Sequence, residues 1–224
     1  MGRRAYQDGC AVAHALNLVG ERWALLVVRE LVLGPKRYVD LQAGLPGAGP
    51  TILAQRLREL EEVGVVRRRT LPPPSAARVY ELTSWGAELA PVVAALGRWG
   101  ARSPVVAPEG PVGTDSWLLS LGTFFDPGAS EPWTATFEIR LGPSAYRLKV
   151  LDGRLVEVAR GEAWGEPDAR VETDGETFGA LLAGERVAAA QVAGRLAVTG
   201  DADAVQRLLD AVRMPTPALP RQGA

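Results

Sequence analysis

The spacing of apolar residues changes period part-way along the chain, and no single layer of secondary structure satisfies both periods. Up to about Arg102 the apolar residues recur at helical intervals; from Thr134 on they alternate one by one, as in half-buried strands. Between the two lies SPVVAPEGPVGTD, Ser103 to Asp115, rich in Pro and Gly and without either period, which reads as a linker. A chain of 224 residues has room for two small domains. The expected organisation is a mainly-α domain over 1–102, the linker 103–115, an α+β domain over 116–214 and a flexible tail, PTPALPRQGA, over 215–224.

In the first domain, Ala11 to Val19 and Arg22 to Leu33 predict two buried helices separated by Gly20, the second stopped by Gly34-Pro35. Tyr38 to Ala43 is a short third helix. Pro50 suits a first helical position, where a missing N–H is no loss. The helix it opens, Thr51 to Val63, places Leu53, Leu57 and Leu60 on one buried face and Thr51, Gln55 and Arg58 on an exposed stripe. Gly64 is the expected left-handed cap. Two strands follow, Val65 to Leu71 and Arg78 to Leu82, joined by the tip PPPSAA. A last helix, Ser84 to Arg102, carries Pro91 as a kink.

Composition narrows the function classes. One cysteine, Cys10, and one histidine, His14, exclude an internal disulfide framework and a His/Cys-built zinc or iron–sulfur site within one chain. No cofactor and no metal are expected. No stretch approaches the roughly 18–20 consecutive apolar residues of a membrane helix, and MGRRAYQDGC lacks the apolar region of a secretory signal. A cytoplasmic protein that does not act on membranes is expected. G-x-S-x-G, S-x-x-K and P-loop motifs are absent, Asp152 is required by its turn, and Asp201 and Asp203 suit helix caps, so no enzyme is expected. The net charge of −1 conceals +5 over 1–102 and −6 over 103–224, which points to an acidic partner, nucleic acid above all, for the first domain.

A short helix, a turn, a longer helix with a polar face and a hairpin with a basic stem make the order of a winged helix-turn-helix. A helix about 10–12 Å across fits a major groove about 12 Å wide. Thr51, Gln55 and Arg58 would then face base edges and nearby phosphates of double-stranded DNA. Arg67, Arg68, Arg69 and Arg78 would reach phosphate or minor groove from the hairpin, and Lys36 and Arg37 would grip the backbone. Three arginines in a row on one strand cannot all face one way, so at least one of Arg67 to Arg69 is ordinary surface. The alternative for all of them is a solvated face.

The runs LNLVGERWALLVVRELVLGPKRYVDLQ, PTILAQRLRELEEVGVVRRR, YELTSWGAEL and ALGRWG, following Cys10 in this order, resemble the HxlR-type bacterial winged-helix transcriptional regulators over about residues 8–101. The resemblance implies a homodimer on operator DNA, with Pro50 to Val63 as recognition helix and Val65 to Leu82 as wing. It also implies a dimer interface on the first and last helices, which selects Val12, Leu16, Leu89, Val93, Leu96 and Trp99. Two departures stand out: Ala11 follows the cysteine where a proline is usual, and Gly49 caps the recognition helix where a serine is usual. In some members a cysteine near this position senses oxidants or electrophiles. Cys10 lies among Ala11, Val12 and Ala13 with no adjacent cation, which favours an inert buried thiol; a redox switch and an intersubunit metal ligand are the alternatives.

In the second domain, Trp117 to Phe125 predicts a short helix and Thr134 to Leu141 a strand burying Ala135, Phe137, Ile139 and Leu141. Tyr146 to Leu151 and Arg154 to Ala159 flank Asp152-Gly153, a strong hairpin signal. Strand Ala169 to Thr173, helices Glu176 to Leu182 and Val187 to Ala193, strand Leu196 to Thr199 and helix Ala204 to Val212 complete it. The run PDARVETDGETFGALLAGERVAAAQVAGRLAVTGDADAVQRLLD resembles sterol-carrier-protein-2-like domains, which implies a curved sheet covered by helices with an apolar cavity for a hydrophobic small-molecule effector. Trp117, Leu121, Phe124, Phe125, Phe137, Tyr146, Trp164 and Phe178 are the candidate lining; the alternative is that they pack a core or a dimer contact. A rival for the whole chain is a lipid or small-molecule carrier whose helical half mediates protein contacts.

Overall fold

The computed structural model describes residues 5–105, 110, 112–128, 131–216 and 218. It forms two compact units, one up to Val93 and one from Ala94 on. Of the expected linker, 106–109 and 111 lie outside the described residues, as do 217 and 219–224 of the expected tail.

The first unit runs α1 (Ala11–Val19), α2 (Ala24–Val32), α3 (Tyr38–Gly44), α4 (Pro50–Glu62), β1 (Val66–Thr70), β2 (Arg78–Leu82) and α5 (Ser84–Ala87), and takes in the start of α6 (Ala90–Gly100). Its core joins Val27, Val28 and Leu31 of α2, Leu41 of α3, Leu53, Leu57 and Leu60 of α4, and Val65 and Val66 at the foot of the hairpin. Pro50 opens α4, and Gly64 follows it with φ +75°, a conformation glycine adopts without a Cβ penalty. β1 and β2 pair antiparallel, and Lys36 adds a one-residue third strand: its N–H donates to Tyr80 O at 3.0 Å and its carbonyl accepts from Tyr80 N at 2.8 Å.

One expectation fails here. The single kinked helix over Ser84 to Arg102 is two helices. Thr83 caps α5 by accepting from Gly86 N at 2.9 Å, and Pro91 stands in the first turn of α6, where it costs no intrahelical hydrogen bond.

The second unit carries α7 (Thr114–Phe124), β3 (Ala135–Leu141), β4 (Ser144–Leu151), β5 (Arg154–Arg160), β6 (Ala169–Thr173), α8 (Gly175–Leu182), α9 (Val187–Val192), β7 (Leu196–Gly200) and α10 (Ala202–Asp210). The sheet order is β5-β4-β3-β6-β7; β3 and β6 are parallel and every other neighbouring pair is antiparallel. Asp152 and Gly153 have φ +50° and +71°, the positive values of the two-residue turn that matches strand twist. Phe137, Ile139 and Leu141 of β3 are buried, as are Leu118 and Leu121 of α7, Phe178 and Leu181 of α8, and Leu208 of α10. Asp174 and Asp201 cap α8 and α10, accepting from Thr177 N at 2.7 Å and Ala204 N at 2.9 Å. The last helix therefore starts at Ala202, two residues ahead of expectation. Among the described residues no single helix is long and apolar enough to cross a membrane.

Candidate nucleic-acid interface and ligand cavity

α4 is amphipathic in the expected sense: Leu53, Leu57 and Leu60 are buried, and Thr51, Gln55 and Arg58 are exposed. Gln55 donates to Glu59 at 2.9 Å, whereas Arg58 has no ion pair among the described residues. The sequence reading missed Arg56. It is buried, with its guanidinium 2.5 Å from Glu59 and 3.7 Å from Glu21. The glutamate three residues along the same helix was the available signal.

The hairpin register puts Arg67 opposite Glu81, Arg68 opposite Tyr80 and Arg69 opposite Val79. Arg67 and Arg69 share one face and both bind Glu81, at 2.7 and 2.9 Å. Arg68 points the other way, 2.7 Å from Glu61 and with its guanidinium carbon 5.6 Å from the Tyr80 ring centroid. Arg78 is exposed and has no ion pair among the described residues. Arg37 is exposed and makes a two-pronged contact with Asp40 at 2.9 and 3.1 Å, which lowers the Asp40 pKa and raises that of Arg37.

Lys36 is a correction. Its side chain is only 10% exposed and its ammonium pairs with the buried carboxylate of Glu30, which also binds Arg29 at 2.7 Å. A buried carboxylate needs its cation, so Lys36 is held inside instead of reaching a phosphate. Glu30 in the otherwise apolar ALLVVRELV was the sequence mark of that pair.

Val12, Leu16, Leu96 and Trp99 are exposed apolar residues on α1 and α6. Leu89 and Val93 instead pack against the core of their own unit. Cys10 overturns the expectation of a buried thiol. It is exposed at the N-cap of α1, where the backbone N–H groups of Ala13 and Val12 hold the thiol pKa below its usual value. Proximity to a helix start, not to a cation, was the signal. Among the described residues no group of three or more His, Cys, Asp or Glu could hold a metal.

The eight aromatic and apolar residues expected around one pocket do not share one space. Leu121 and Phe178 are core, and Phe137, also buried, lines with Trp164 a smaller cavity of about 220 Å³. Tyr146 is buried, its hydroxyl donating to Asp115 at 2.6 Å and lying 2.8 Å from the Thr114 hydroxyl; burial, then this carboxylate, raises its pKa. Asp115 also binds Arg160 at 2.6 Å. Trp117 lies over Gly175 and Gly179 of α8. Trp164 faces outward, 85% exposed, with Arg147 stacked 4.7 Å from its ring centroid. Of the eight, only Phe124 and Phe125 line a cavity of about 740 Å³, with Arg98, Trp99, Arg102, Thr123 and Arg213. Local periodicity places a residue on a face but not in a cavity.

Residues 18–105 match the HxlR-like helix-turn-helix family. The HTH-type transcriptional regulator YvaP of Bacillus subtilis is 35% identical over 88 residues, covering 39% of this chain and 82% of that protein. This chain belongs to the HxlR family. Another relative, the HTH-type transcriptional regulator Rv3095 of Mycobacterium tuberculosis, is 39% identical over 104 residues, 46% of this chain and 65% of that protein. The solved structure of the reduced form of the regulator YodB from B. subtilis is 32% identical, covers 42% of this chain and 94% of that one, and has a TM-score of 0.38.

The HxlR match takes in α4, the hairpin and α6, and leaves out Cys10 and all but the last two residues of α1. A second family, SCP-2 sterol transfer, matches residues 126–213. That match contains the whole mixed sheet and begins just after Phe124 and Phe125.

Proposed function

We propose that this HxlR-family chain is a cytoplasmic transcriptional regulator that binds operator DNA as a homodimer. The reading is carried by the exposed stripe of Thr51, Gln55 and Arg58 on a helix whose leucines are buried, beside a hairpin bearing Arg67, Arg68, Arg69 and Arg78. α4 enters the major groove and the hairpin tracks the adjacent phosphates, with Arg37 on the backbone. Val12, Leu16, Leu96 and Trp99 supply the dimer contact. The DNA-binding domain spans 1–102 and the ligand-binding domain 116–214. The two half-sites then lie about one helical turn apart, or a multiple of it. A hydrophobic small molecule held by the second domain modulates DNA affinity through its differential binding to two states.

Selection from random duplexes tests the reading directly. A recurrent inverted repeat is expected, and recovery of no preferred sequence refutes it in favour of a carrier role.

The exposed Cys10 thiol supports a second reading, in which oxidation or alkylation there switches DNA affinity. Operator binding that responds to diamide in the wild type and not in Cys10→Ser supports it. An identical response in both removes it.

A further inference from the structure

Most arginines among the described residues are held by a carboxylate, as Arg140 by Glu138, Arg147 by Glu157, Arg160 by Asp115 and Arg195 by Glu185. Of the others, three converge. Arg98, Arg102 and Arg213 all line the 740 Å³ cavity of the second unit, and among the described residues no Asp or Glu lines it with them. None of the three has an ion pair among the described residues; Arg98 donates only to the Thr123 carbonyl, at 3.3 Å. The remaining wall is apolar and aromatic, from Trp99, Phe124, Phe125 and the prolines Pro104 and Pro215.

The floor is fixed by backbone pairing rather than by side chains. Phe125 and Val212 form an isolated antiparallel bridge; Arg213 N donates to Phe124 O and Asp126 N to Ala211 O, each at 2.8 Å. Phe124, Phe125 and Arg213 are therefore presented together before any ligand arrives, which lowers the ordering cost of binding. The volume lies within the range of about 300–1,000 Å³ of small-molecule sites. Three unpaired guanidiniums beside aromatic walls lack one thing, an anion with an apolar body.

We propose that this cavity binds a carboxylate attached to an aromatic or alkyl body, the carboxylate between Arg102 and Arg213 and the body against Phe124 and Phe125. The proposal deepens, and rests on, the reading of the second domain as ligand-binding. It places the ligand at the end of α6, outside the space between sheet and helices. α6 gives Trp99 to this cavity.

Calorimetry on the full chain with 1-naphthoate, its neutral amide 1-naphthamide and inorganic phosphate tests it. One naphthoate per chain is expected, with the amide and phosphate each at least tenfold weaker. Arg102→Gln and Arg213→Gln, made separately, should each weaken naphthoate by about tenfold to a hundredfold, the loss for a charged hydrogen bond, while duplex DNA affinity stays within a few-fold. No naphthoate binding, or amide binding as tight as naphthoate, overturns the proposal without needing any variant. Unchanged naphthoate affinity in both variants also overturns it, and leaves the domain as a ligand binder with its site elsewhere. Loss of DNA binding by the wild type refutes the regulator reading and leaves the cavity chemistry to be judged by the naphthoate titration alone.

Discussion

Glu81 limits the charge that the wing can present. Its carboxylate holds both Arg67 and Arg69, and only 12% of its side chain meets solvent. Glu81→Gln keeps the shape and one acceptor oxygen, turns the other acceptor into an N–H donor, and removes the charge that competes with phosphate. Each phosphate contact contributes about 0.9 to the slope of log K against log salt on B-form DNA. If one released guanidinium per wing reaches a phosphate, a dimer gains two contacts and the slope steepens by about 1.8. Between 200 and 50 mM salt that is an extra gain of roughly 12-fold in affinity. Fluorescence anisotropy of a labelled duplex, titrated at several KCl concentrations, reads both numbers. A folded Glu81→Gln protein with a slope parallel to wild type and no tighter binding at 50 mM would refute the placement of this hairpin face on phosphates.

Other outcomes follow from single contacts. Arg58→Ala removes an exposed, unpaired guanidinium from α4 and should cost about 1–3 kcal/mol in operator binding with relaxed preference at one position, read by competition gel shift. Gly86→Ala drives a methyl into the backbone carbonyl of Val65, so about 1–3 kcal/mol of stability should be lost in urea unfolding, with the foot of the hairpin displaced. The Asp168 carboxylate accepts from Thr136 N at 2.7 Å and from its hydroxyl at 2.8 Å, and these bonds depress its pKa. That stabilisation is full above the unfolded carboxyl value near 3.8 and is lost as pH falls through the lower folded value. Asp168→Asn should therefore be the less stable protein at pH 7, with the gap closing below about pH 4; a gap constant down to pH 3 would contradict the pairing.

What the sequence made legible was local. The Asp152-Gly153 turn, the Pro50 start, the Gly64 cap and the alternation from Ala135 to Leu141 each depend on a few adjacent residues, and each stands where expected. The opposed faces of Arg67 and Arg68 followed from strand geometry alone. What escaped depends on partners far along the chain or out of sight of periodicity. Lys36 lost its surface role to Glu30. Glu138, on the polar side of β3, is buried, accepting the Ala163 N–H at 3.0 Å, which lowers its pKa. Trp164 turned outward and Cys10 was exposed by its place at a helix start. The gathering of Arg98, Arg102 and Arg213 needed residues more than a hundred positions apart to meet, which no pattern in one segment announces.

The one-residue strand at Lys36 makes the hairpin a cantilever, clamped at its base and free at its end. Tyr80 is bonded through both backbone groups to Lys36, whose own side chain is locked onto Glu30, while the turn from Pro72 to Ala77 is exposed or nearly so. Bending is thereby confined to the outer span. Lengthening or shortening that tip alters how far the arm extends along a duplex and leaves the footing of α4 untouched, so reach can be tuned without disturbing how the bases are read.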